Sequence, residues 1–343
     1  MNLTTLKEWF SLTSQTRRNI FAETSAALGL PDAAVEKDWW VVHTLKLVFD
    51  TSIAPFSVFK GGTSLSKAWG LIDRFSEDID LALDRKFLGF EKADEEMTAS
   101  QVRKLRERSL QFLSEKYFQE LSKKFNDAGL TDITIQLGDI RTHDQDPLII
   151  EVYYPSVTDS VPYIQPRTII EIGSRSMREP FENCSFSSFV GEQFKGRPFA
   201  DEPISIPTVR PERTFLEKIF LLHEEFQQDV EKIKVERKSR HLYDLGKLMD
   251  TGYAKTALED IELYQTIVKH RRTITPLRGI NYANHTPDKI NPVPPDSIIG
   301  EWEKDYLSMQ ESMIYNPSLS FEKLIARLNE LKARINSLHI NLL

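Results

Sequence analysis

The spacing of apolar residues predicts helices at both ends of the chain. Over residues 4–50, apolar side chains recur at helical intervals, among them Leu6, Phe10, Val35 and Trp39. A long amphipathic helix is predicted over 98–128. From about residue 205 onward the pattern is again helical. It begins with 214-TFLEKIFLLHEEF-226, which has a proline just before it, and is interrupted by the loop 291-NPVPP-295.

Between these helical regions the pattern changes to the alternation that is typical of β-strands. Ile79, Leu81 and Leu83 alternate with Asp80 and Ala82, which indicates a strand with one buried face. Other strand candidates are the short run 56–59 and the segments 132-DITIQLG-138, 148-LIIEVYY-154 and 168-TIIEIGS-174. This order of elements predicts an α+β fold with a small mixed sheet. We expect a helical segment over 1–50 packed on the core, an α+β domain over 51–205 and a helical C-terminal domain over 206–343.

Composition narrows the class of protein. The chain has 343 residues, 40% of them apolar, which is enough for more than one domain. A net charge of −7 excludes a wholly basic nucleic-acid-binding surface but leaves room for a local basic groove. Cys184 is the only cysteine, which excludes an intramolecular disulfide and a thiolate zinc cluster. No apolar run reaches the roughly 20 residues that a membrane helix needs, so a cytoplasmic protein without a membrane partner is expected.

The segment 59-FKGGTSLSKAWGLIDRFSEDIDLAL-83 combines a glycine turn with a pair of carboxylates. Asp78 and Asp80 stand two residues apart on a predicted strand, so both side chains point to one face. Such oxygen donors suit Mg²⁺ or Mn²⁺, and these ions can clamp the oxygens of a phosphoryl transfer. The glycines let the backbone approach a phosphate, and the predicted helix that starts near Thr63 favours an anion. Two solvated acids are the alternative, but the upstream turn favours a metal site.

These residues resemble the nucleotidyltransferase superfamily that includes DNA polymerase β. They resemble more closely the AbiEii/AbiGii toxin family, the toxin half of type IV toxin–antitoxin and abortive-infection pairs. KGGTSLSK and RFSEDIDLAL match the family's first motif, a Gly-(Gly/Ser/Thr) turn followed by Arg-x-Ser-x-Asp-x-Asp. Three later motifs of the family also have matches here. The acid between apolar residues corresponds to Glu171, which is followed by Arg175. The helical lysine corresponds to Lys218, and the acid shortly after it corresponds to Asp244. The resemblance spans roughly residues 30–250.

The resemblance implies a metal-dependent enzyme that transfers a nucleoside monophosphate from an NTP. The implied catalytic residues are Asp78, Asp80, Glu171, Lys218 and Asp244, of which the first two would hold Mg²⁺ or Mn²⁺. The implied nucleotide-binding residues are Gly61, Gly62, Thr63, Ser64, Arg74, Ser76 and Lys218. The implied acceptor is an RNA, with the 3′ end of tRNA expected. A genetically paired antitoxin is implied without an obligatory stable complex, and phage defence is the implied role.

Several assignments have alternatives in the sequence itself. Glu151 has the same apolar flanks as Glu171 and competes for the place of the third acid. Lys218 lies beside the apolar stripe of its helix, where an ordinary border lysine also fits. Asp244 falls toward the polar side of its helix, four residues after Arg240. A surface ion pair worth about 0.3–0.5 kcal/mol would therefore explain it as well.

The function also has alternatives. The basic runs 232-KIKVERKSRH-241 and 269-KHRR-272 are either solvated helix faces or a dock for an RNA backbone. A nucleotidyltransferase that modifies a small molecule would share the site but not need such a dock. A non-catalytic nucleotide-binding protein is the third possibility, although it has no need of a two-carboxylate metal clamp. The sequence contains no GxxxxGK[ST] motif, which argues against a P-loop NTPase.

Overall fold

The computed structural model describes residues 4–76, 78–159 and 164–339, and their contacts divide them into two units. Unit 1 contains the chain up to Ala68, Phe75–Glu91 and Ser100–Val209. Unit 2 contains Trp69–Arg74, Lys92–Ala99 and the chain from Arg210 onward. The three-domain division expected from the sequence stays a prediction.

Unit 1 is built on a mixed sheet that has seven strands within the described residues. In chain order they are β1 Ser57–Lys60, β2 Asp78–Leu83, β3 Thr134–Leu137, β4 Leu148–Tyr153, β5 Arg167–Gly173, β6 Phe181–Phe186 and β7 Ile204–Val209. Their order across the sheet is β3-β4-β5-β2-β1-β7-β6. β2 runs parallel to β5 and β1 runs parallel to β7, whereas the other neighbours are antiparallel. The expected α+β fold with a mixed sheet is confirmed.

The helices of unit 1 follow the predicted N-terminal and central positions. They are α1 Thr4–Ser11, α2 Ser14–Leu28, α3 Asp32–Val48, the single turn α4 Gly61–Thr63, α5 Ala99–Gln111, α6 Phe118–Asp127 and α7 Phe189–Gln193. π-Helical segments cover Ser64–Ala68 and Phe112–Tyr117, and 3₁₀ turns cover Ala54–Phe56 and Arg85–Leu88. The second π segment joins α5 to α6. The helix predicted over 98–128 is therefore one continuous helical stretch.

The core of unit 1 lies between the sheet and α3. Side chains at alternate positions of the central strands are fully buried, among them Ile79, Leu81, Ile170 and Ile172. α3 is buried on nearly all sides, because apolar residues surround its axis. Even its charged run, 36–38, is buried, and each of its three side chains bonds to another segment. This packing fixes the sheet that carries the acid pair.

Two strands at one edge of the sheet, β6 and β7, were not predicted from the sequence. β6 has the sequence FENCSF, in which polar residues break the alternation. β7 contains Pro207, which lacks the N–H that a ladder uses and is seldom found inside a sheet. Pro207 lies opposite Asn183 of β6. Tertiary pairing therefore outweighs the weak local preference of both segments.

Unit 2 is helical. Its helices are α8 Pro211–Glu225, α9 Ser239–Leu248, α10 Gly252–Glu259, α11 Ile261–Thr273, α12 Ile299–Ser312 and α13 Phe321–Asn336. Short 3₁₀ turns cover Asp94–Glu96, Val230–Lys232, Tyr282–His285, Pro287–Lys289 and Asp296–Ile298. α8 is the centre of this unit, since its apolar stripe, including Phe215 and Phe220, is fully buried. Within the described residues, no helix combines the length and hydropathy that crossing a membrane would require.

Candidate active site

Two aspartates and a glutamate share one face of the sheet in unit 1. In β2, Asp78 and Asp80 are partly exposed while Ile79 between them is fully buried. β5 runs parallel to β2, in a register that places Glu171 beside Asp80. Because neighbouring residues of paired strands point to the same face, the three carboxylates belong to one surface. The two aspartates that the sequence places two residues apart on β2 are therefore joined by a third acid, Glu171, from the adjacent strand β5.

The rival acid Glu151 lies on the same face but one strand farther from the aspartates. It is opposite Ile169 of β5 rather than beside either aspartate. Its carboxylate also forms an ion pair with Arg167 and accepts hydrogen bonds from Gln136 (2.9 Å) and the Tyr153 hydroxyl (3.1 Å). The register favours Glu171 as the third acid of the site.

The glycine turn α4, which directly follows β1, packs against Asp80. Gly61 has φ +80°, in the left-handed region that disfavours residues with a Cβ. A Cβ at this position would lie 1.9 Å from Asp80 Oδ2. Glycine is therefore required at Gly61 for two independent reasons, its backbone conformation and the approach of the carboxylate. Gly62 follows in the same turn.

The hydroxyl groups after the glycines tie the turn to β2. Thr63 Oγ1 donates to the carbonyl oxygen of Asp78 (2.5 Å) and lies 2.9 Å from Ser76 Oγ. Ser64 Oγ donates to the carbonyl oxygen of Gly61 (2.9 Å). Both Thr63 and Ser64 are buried. Their side chains fix the geometry between turn and strand, which leaves the backbone N–H groups of the turn as the better phosphate donors.

A second cluster lies within unit 2 and brings together three residues that the sequence analysis singled out. Arg74 donates from Nε and Nη2 to the two oxygens of Asp244, at 2.7 and 2.8 Å. Lys218 Nζ lies 2.8 Å from Asp244 Oδ2 and 3.3 Å from Nδ1 of His241. Asp244 is fully buried, and Arg74 and Lys218 are nearly so. α8 supplies the lysine and α9 the aspartate, so helix packing assembles the cluster.

The protonation states of Asp244 and His241 in this cluster are set by burial and by the neighbouring cations. Burial alone would raise the pKa of Asp244, but the charges and hydrogen bonds of Arg74 and Lys218 outweigh burial and hold the pKa well below its usual range. The pKa of His241 is lowered, first by burial and then by the charge of Lys218. A neutral imidazole can accept a hydrogen bond from the Lys218 ammonium. The cluster therefore presents an ionised carboxylate held between two cations.

The carboxylates of unit 1 supply part of the ligand set that a divalent metal ion requires. Across residues 4–76, 78–159 and 164–339, no three His, Cys, Asp or Glu side chains converge as a metal cage would. Mg²⁺ is seldom held in an all-protein cage, because it usually takes one or two carboxylates plus substrate phosphates and water. Asp78 and Asp80 supply hard oxygen donors of this kind beside a glycine turn. The chemistry of the pair therefore fits a substrate-bound divalent cation.

Comparison with known proteins identifies the family. A sequence model described as nucleotidyl transferase AbiEii toxin, type IV toxin–antitoxin system, matches residues 47–327. The chain belongs to the AbiEii family of nucleotidyltransferase toxins. The match includes the glycine turn, the acid pair and both helical motifs of this AbiEii toxin. A search of curated proteins found no match.

One of two similar solved structures supports the fold. The nucleotidyltransferase toxin MenT4 from Mycobacterium tuberculosis is 17% identical, with a TM-score of 0.51 over 96% of this chain and 91% of its own. JHP933 from Helicobacter pylori is 16% identical, with a TM-score of 0.42 over 88% of this chain and 91% of its own. At this identity the MenT4 match supports the fold of the AbiEii toxin, including its mixed sheet and helical unit.

Membership in the AbiEii family and the geometry together revise one interpretation from the sequence. The reading of Asp244 as a surface residue is wrong, because Asp244 is fully buried against Arg74 and Lys218. Helical angle placed it on the polar side of α9, but that side faces other parts of unit 2. Arg74 and Asp244 are 170 residues apart, so no local pattern could have paired them.

One ion pair of the AbiEii toxin was missed altogether. Lys67, at the end of the KGGTSLSK motif, bonds to buried Asp38 of α3 (3.0 Å) and lies 3.8 Å from the centroid of the Phe189 ring. Burial raises the pKa of Asp38 to about 6 despite the opposing charge of Lys67. The contact anchors the π segment that follows the glycine turn. The segment 36-EKDWW-40 was the available signal, but nothing in it indicates which partner Asp38 takes.

Proposed function

We propose that this AbiEii toxin transfers a nucleoside monophosphate from an NTP to an RNA acceptor, at the 3′ end of tRNA, with the help of Mg²⁺ or Mn²⁺. The observation that carries the proposal is the strand register that sets Glu171 beside Asp80 on the face shared with Asp78. A carboxylate pair for a cation and a third acid next to it are the groups that activate and stabilise such a transfer. A binding protein would need neither the pair nor the third acid.

Asp78 and Asp80 would hold the divalent cation, as the chemistry of their carboxylates allows. When bound, the cation neutralises charge that develops on the triphosphate during transfer. Glu171 is assigned the role of general base. The oxygen of the acceptor hydroxyl forms a bond to the α-phosphorus, its proton passes to the Glu171 carboxylate, and the bond from the α-phosphorus to pyrophosphate breaks. The products are nucleotidylated acceptor and pyrophosphate.

The glycine turn is proposed to bind the triphosphate through its backbone. N–H groups of Gly61, Gly62 and Thr63 would donate to phosphate oxygens, as consecutive amides in turns do, whereas the N–H of Ser64 donates to the carbonyl oxygen of Gly61 and closes the turn. Thr63 and Ser76 keep the turn attached to β2 by the contacts described above. The side-chain hydroxyls thus position the donors.

The cluster of unit 2 is proposed to supply cations for the nucleotide phosphates. Lys218 and Arg74 carry the positive charges, and the buried Asp244 fixes both. A carboxylate that orients two cations keeps them in a fixed geometry while the nucleotide binds. Such preorganised charge is a main source of catalytic efficiency. Asp244 is therefore proposed to act through Lys218 and Arg74.

The proposed setting is the cytoplasm, where NTPs and tRNA are available. Modified tRNA would block translation and arrest growth, as abortive infection requires. A genetically paired antitoxin is proposed to counteract the toxin without an obligatory stable complex. This part of the proposal rests on membership in the type IV family.

The test is a labelling assay with each of the four labelled NTPs, Mg²⁺ and total RNA. Matched variants are Glu171→Gln and Glu151→Gln, which make the same chemical change on the same sheet face. We expect RNA labelling by the wild type and a loss of about 10²–10⁴-fold for Glu171→Gln, the usual contribution of a general base. Glu151→Gln should retain most activity.

Other results of this assay would contradict the proposal. Equal losses in both variants would remove Glu171 from its role. Label that appears on an added aminoglycoside and never on RNA would indicate a small-molecule transferase. Nucleotide binding without transfer to any acceptor would indicate a binding protein.

A further inference from the structure

A groove on the surface of unit 1 lies outside the site described above. Its walls are the turn 85–90, which follows β2, and the helical stretch 104–116. Its volume is about 720 Å³, within the range of pockets that bind sizeable ligands. Its lining combines aromatic rings with cationic side chains: Phe87, Phe90, Phe112, Lys104, Arg108 and Lys116. We call it the helix–turn groove.

The cations of the helix–turn groove are not paired with acidic side chains of the described residues. Lys104, Arg108 and Lys116 are exposed, and none forms an ion pair with any residue in the described ranges. Lys104 and Arg108 stand at i and i+4, where like charges destabilise a helix by a few tenths of a kcal/mol. Two glutamates also line the groove, but Glu107 is engaged by Arg103 (3.0 Å) and by His143 (3.4 Å). The second glutamate, Glu115, leaves the groove with an excess of cations, three against one free carboxylate, on a protein of net charge −7.

The aromatic rings of the groove are held in place by one another. Phe87 packs edge-on against Phe112, with ring centroids 5.1 Å apart, and packs at 4.9 Å against Phe56. Phe112 begins the π segment, a distortion that is frequent at functional sites. Phe87, Phe90 and Phe112 are each partly exposed. Rings fixed from one side and open on the other offer faces on which a planar ligand can stack.

The turn itself brings a cation close to these rings. Gly89 has φ +81°, and a Cβ there would lie 3.8 Å from Nη1 of Arg108. The guanidinium of Arg108, although exposed, therefore lies beside the turn. A planar cation beside aromatic rings is suited both to phosphate contacts and to stacking.

The basic runs of unit 2 have a different character. In the first run, Lys232 pairs with Asp229 (2.5 Å) and Lys238 pairs with Glu225. In the second run each of the first three residues has an acidic partner: Lys269 with Glu95, His270 with Asp94, and Arg271 with Glu224. Part of the charge that the sequence offered as an RNA dock is thus neutralised. By contrast, none of the three groove cations on α5 and the π segment forms an ion pair within the described residues.

We propose that the helix–turn groove binds a single-stranded portion of the RNA acceptor. Bases stack on Phe87, Phe90 and Phe112, and the phosphates bind Lys104, Arg108 and Lys116. Stacking faces combined with a cationic track are what single-stranded nucleic acids bind without base-specific contacts. β2 connects the two sites, since the four residues from Asp80 to Asp84 span about 13 Å. The inference rests on the proposed function, because it assigns the place of the RNA acceptor.

The test compares binding of a labelled single-stranded RNA of about 12 nucleotides by full-length variants. The groove variant is Lys104→Gln with Arg108→Gln. Its control is Lys123→Gln with Lys124→Gln, which removes two positive charges from the same helical stretch outside the groove. Both control residues form ion pairs outside the groove, with Asp127 and Asp50. Thermal unfolding and NTP binding verify that each variant is folded.

We expect weaker RNA binding by the groove variant and near wild-type binding by the control. The slope of log K against log salt concentration should fall by about 1.4, or 0.7 for each lost phosphate contact. Phe90→Ala should weaken binding by about 5- to 100-fold with little change in that slope. Equal effects in groove variant and control, or no RNA binding by the wild type, would overturn the inference. Loss of binding to an acidic antitoxin with RNA binding intact would also overturn it.

The labelling assay separates this inference from the proposed function. If the wild type labels RNA and the groove variant labels it with unchanged KM, the groove inference fails and the proposed function stands. If the groove controls RNA binding but no RNA is ever labelled, the proposed function fails and the groove remains an RNA-binding site.

Discussion

Replacement of Gly61 by alanine should disable the active site while leaving the protein folded. The new Cβ would lie 1.9 Å from Asp80 Oδ2, whereas ordinary contacts begin near 3.4 Å. The carboxylate or the turn must therefore move by about 1.5 Å, and a misplacement of about 1 Å can lower a rate about 10²-fold. The left-handed backbone at φ +80° adds about 1–2 kcal/mol of strain to the folded state.

Gly129→Ala is the matched control for this prediction. Gly129 also has φ +80°, but a Cβ there meets nothing within 4 Å. Gly129→Ala should lose about 1–2 kcal/mol of unfolding free energy in urea. Gly61→Ala should lose at least as much, because the contact with Asp80 adds to the same backbone strain. The rate of label transfer should fall about 10²-fold for Gly61→Ala and stay close to wild type for Gly129→Ala. Wild-type transfer by Gly61→Ala, or an equal loss in the control, would refute the role assigned to the turn.

Two further predictions concern the stability of unit 2. Asp244→Asn removes the carboxylate between Arg74 and Lys218, so urea unfolding should show a loss of about 3–5 kcal/mol; a loss below about 0.5 kcal/mol, typical of an exposed pair, would contradict its burial. Burial, followed by the charge of His285, lowers the pKa of His223 to about 4. Because the unfolded chain takes up this proton at higher pH, the stabilisation is complete above about pH 6.5 and falls by about 3 kcal/mol toward pH 4. The stability difference between wild type and His223→Gln should therefore shrink over that range, and a constant difference would contradict it.

The sequence predicted the active-site strand well because its signals are local. β2 was recognised from the alternation of Ile79 and Leu81 with the aspartates, and the glycine turn from composition alone. Both patterns depend only on strand period and on backbone freedom. The long helix over 98–128 was equally accessible, since its apolar spacing is continuous. Its π segment was not, because nothing in the sequence around Phe112 signals the change of winding.

The spatial arrangement of the other candidate site residues could not be predicted, because it depends on pairing between distant segments. Glu151 and Glu171 have the same flanks, and only the register of β5 against β2 and β4 separates them. The acidic partners of basic side chains could not be predicted from the sequence either. Arg271 reads as a surface cation in its run, yet its partner Glu224 lies 47 residues earlier. Unpaired charge, which decides where a polyanion can bind, becomes visible only after such partners are known.

Binding of Mn²⁺ to the acid pair tests the central claim most directly. Electron paramagnetic resonance can follow Mn²⁺ uptake by the wild type and by Asp78→Asn with Asp80→Asn, each in the presence of a non-hydrolysable NTP analogue. We expect nucleotide-dependent uptake of Mn²⁺ by the wild type and loss of that uptake in the double variant. Equal uptake by the two proteins would contradict the assignment of these aspartates as the metal site.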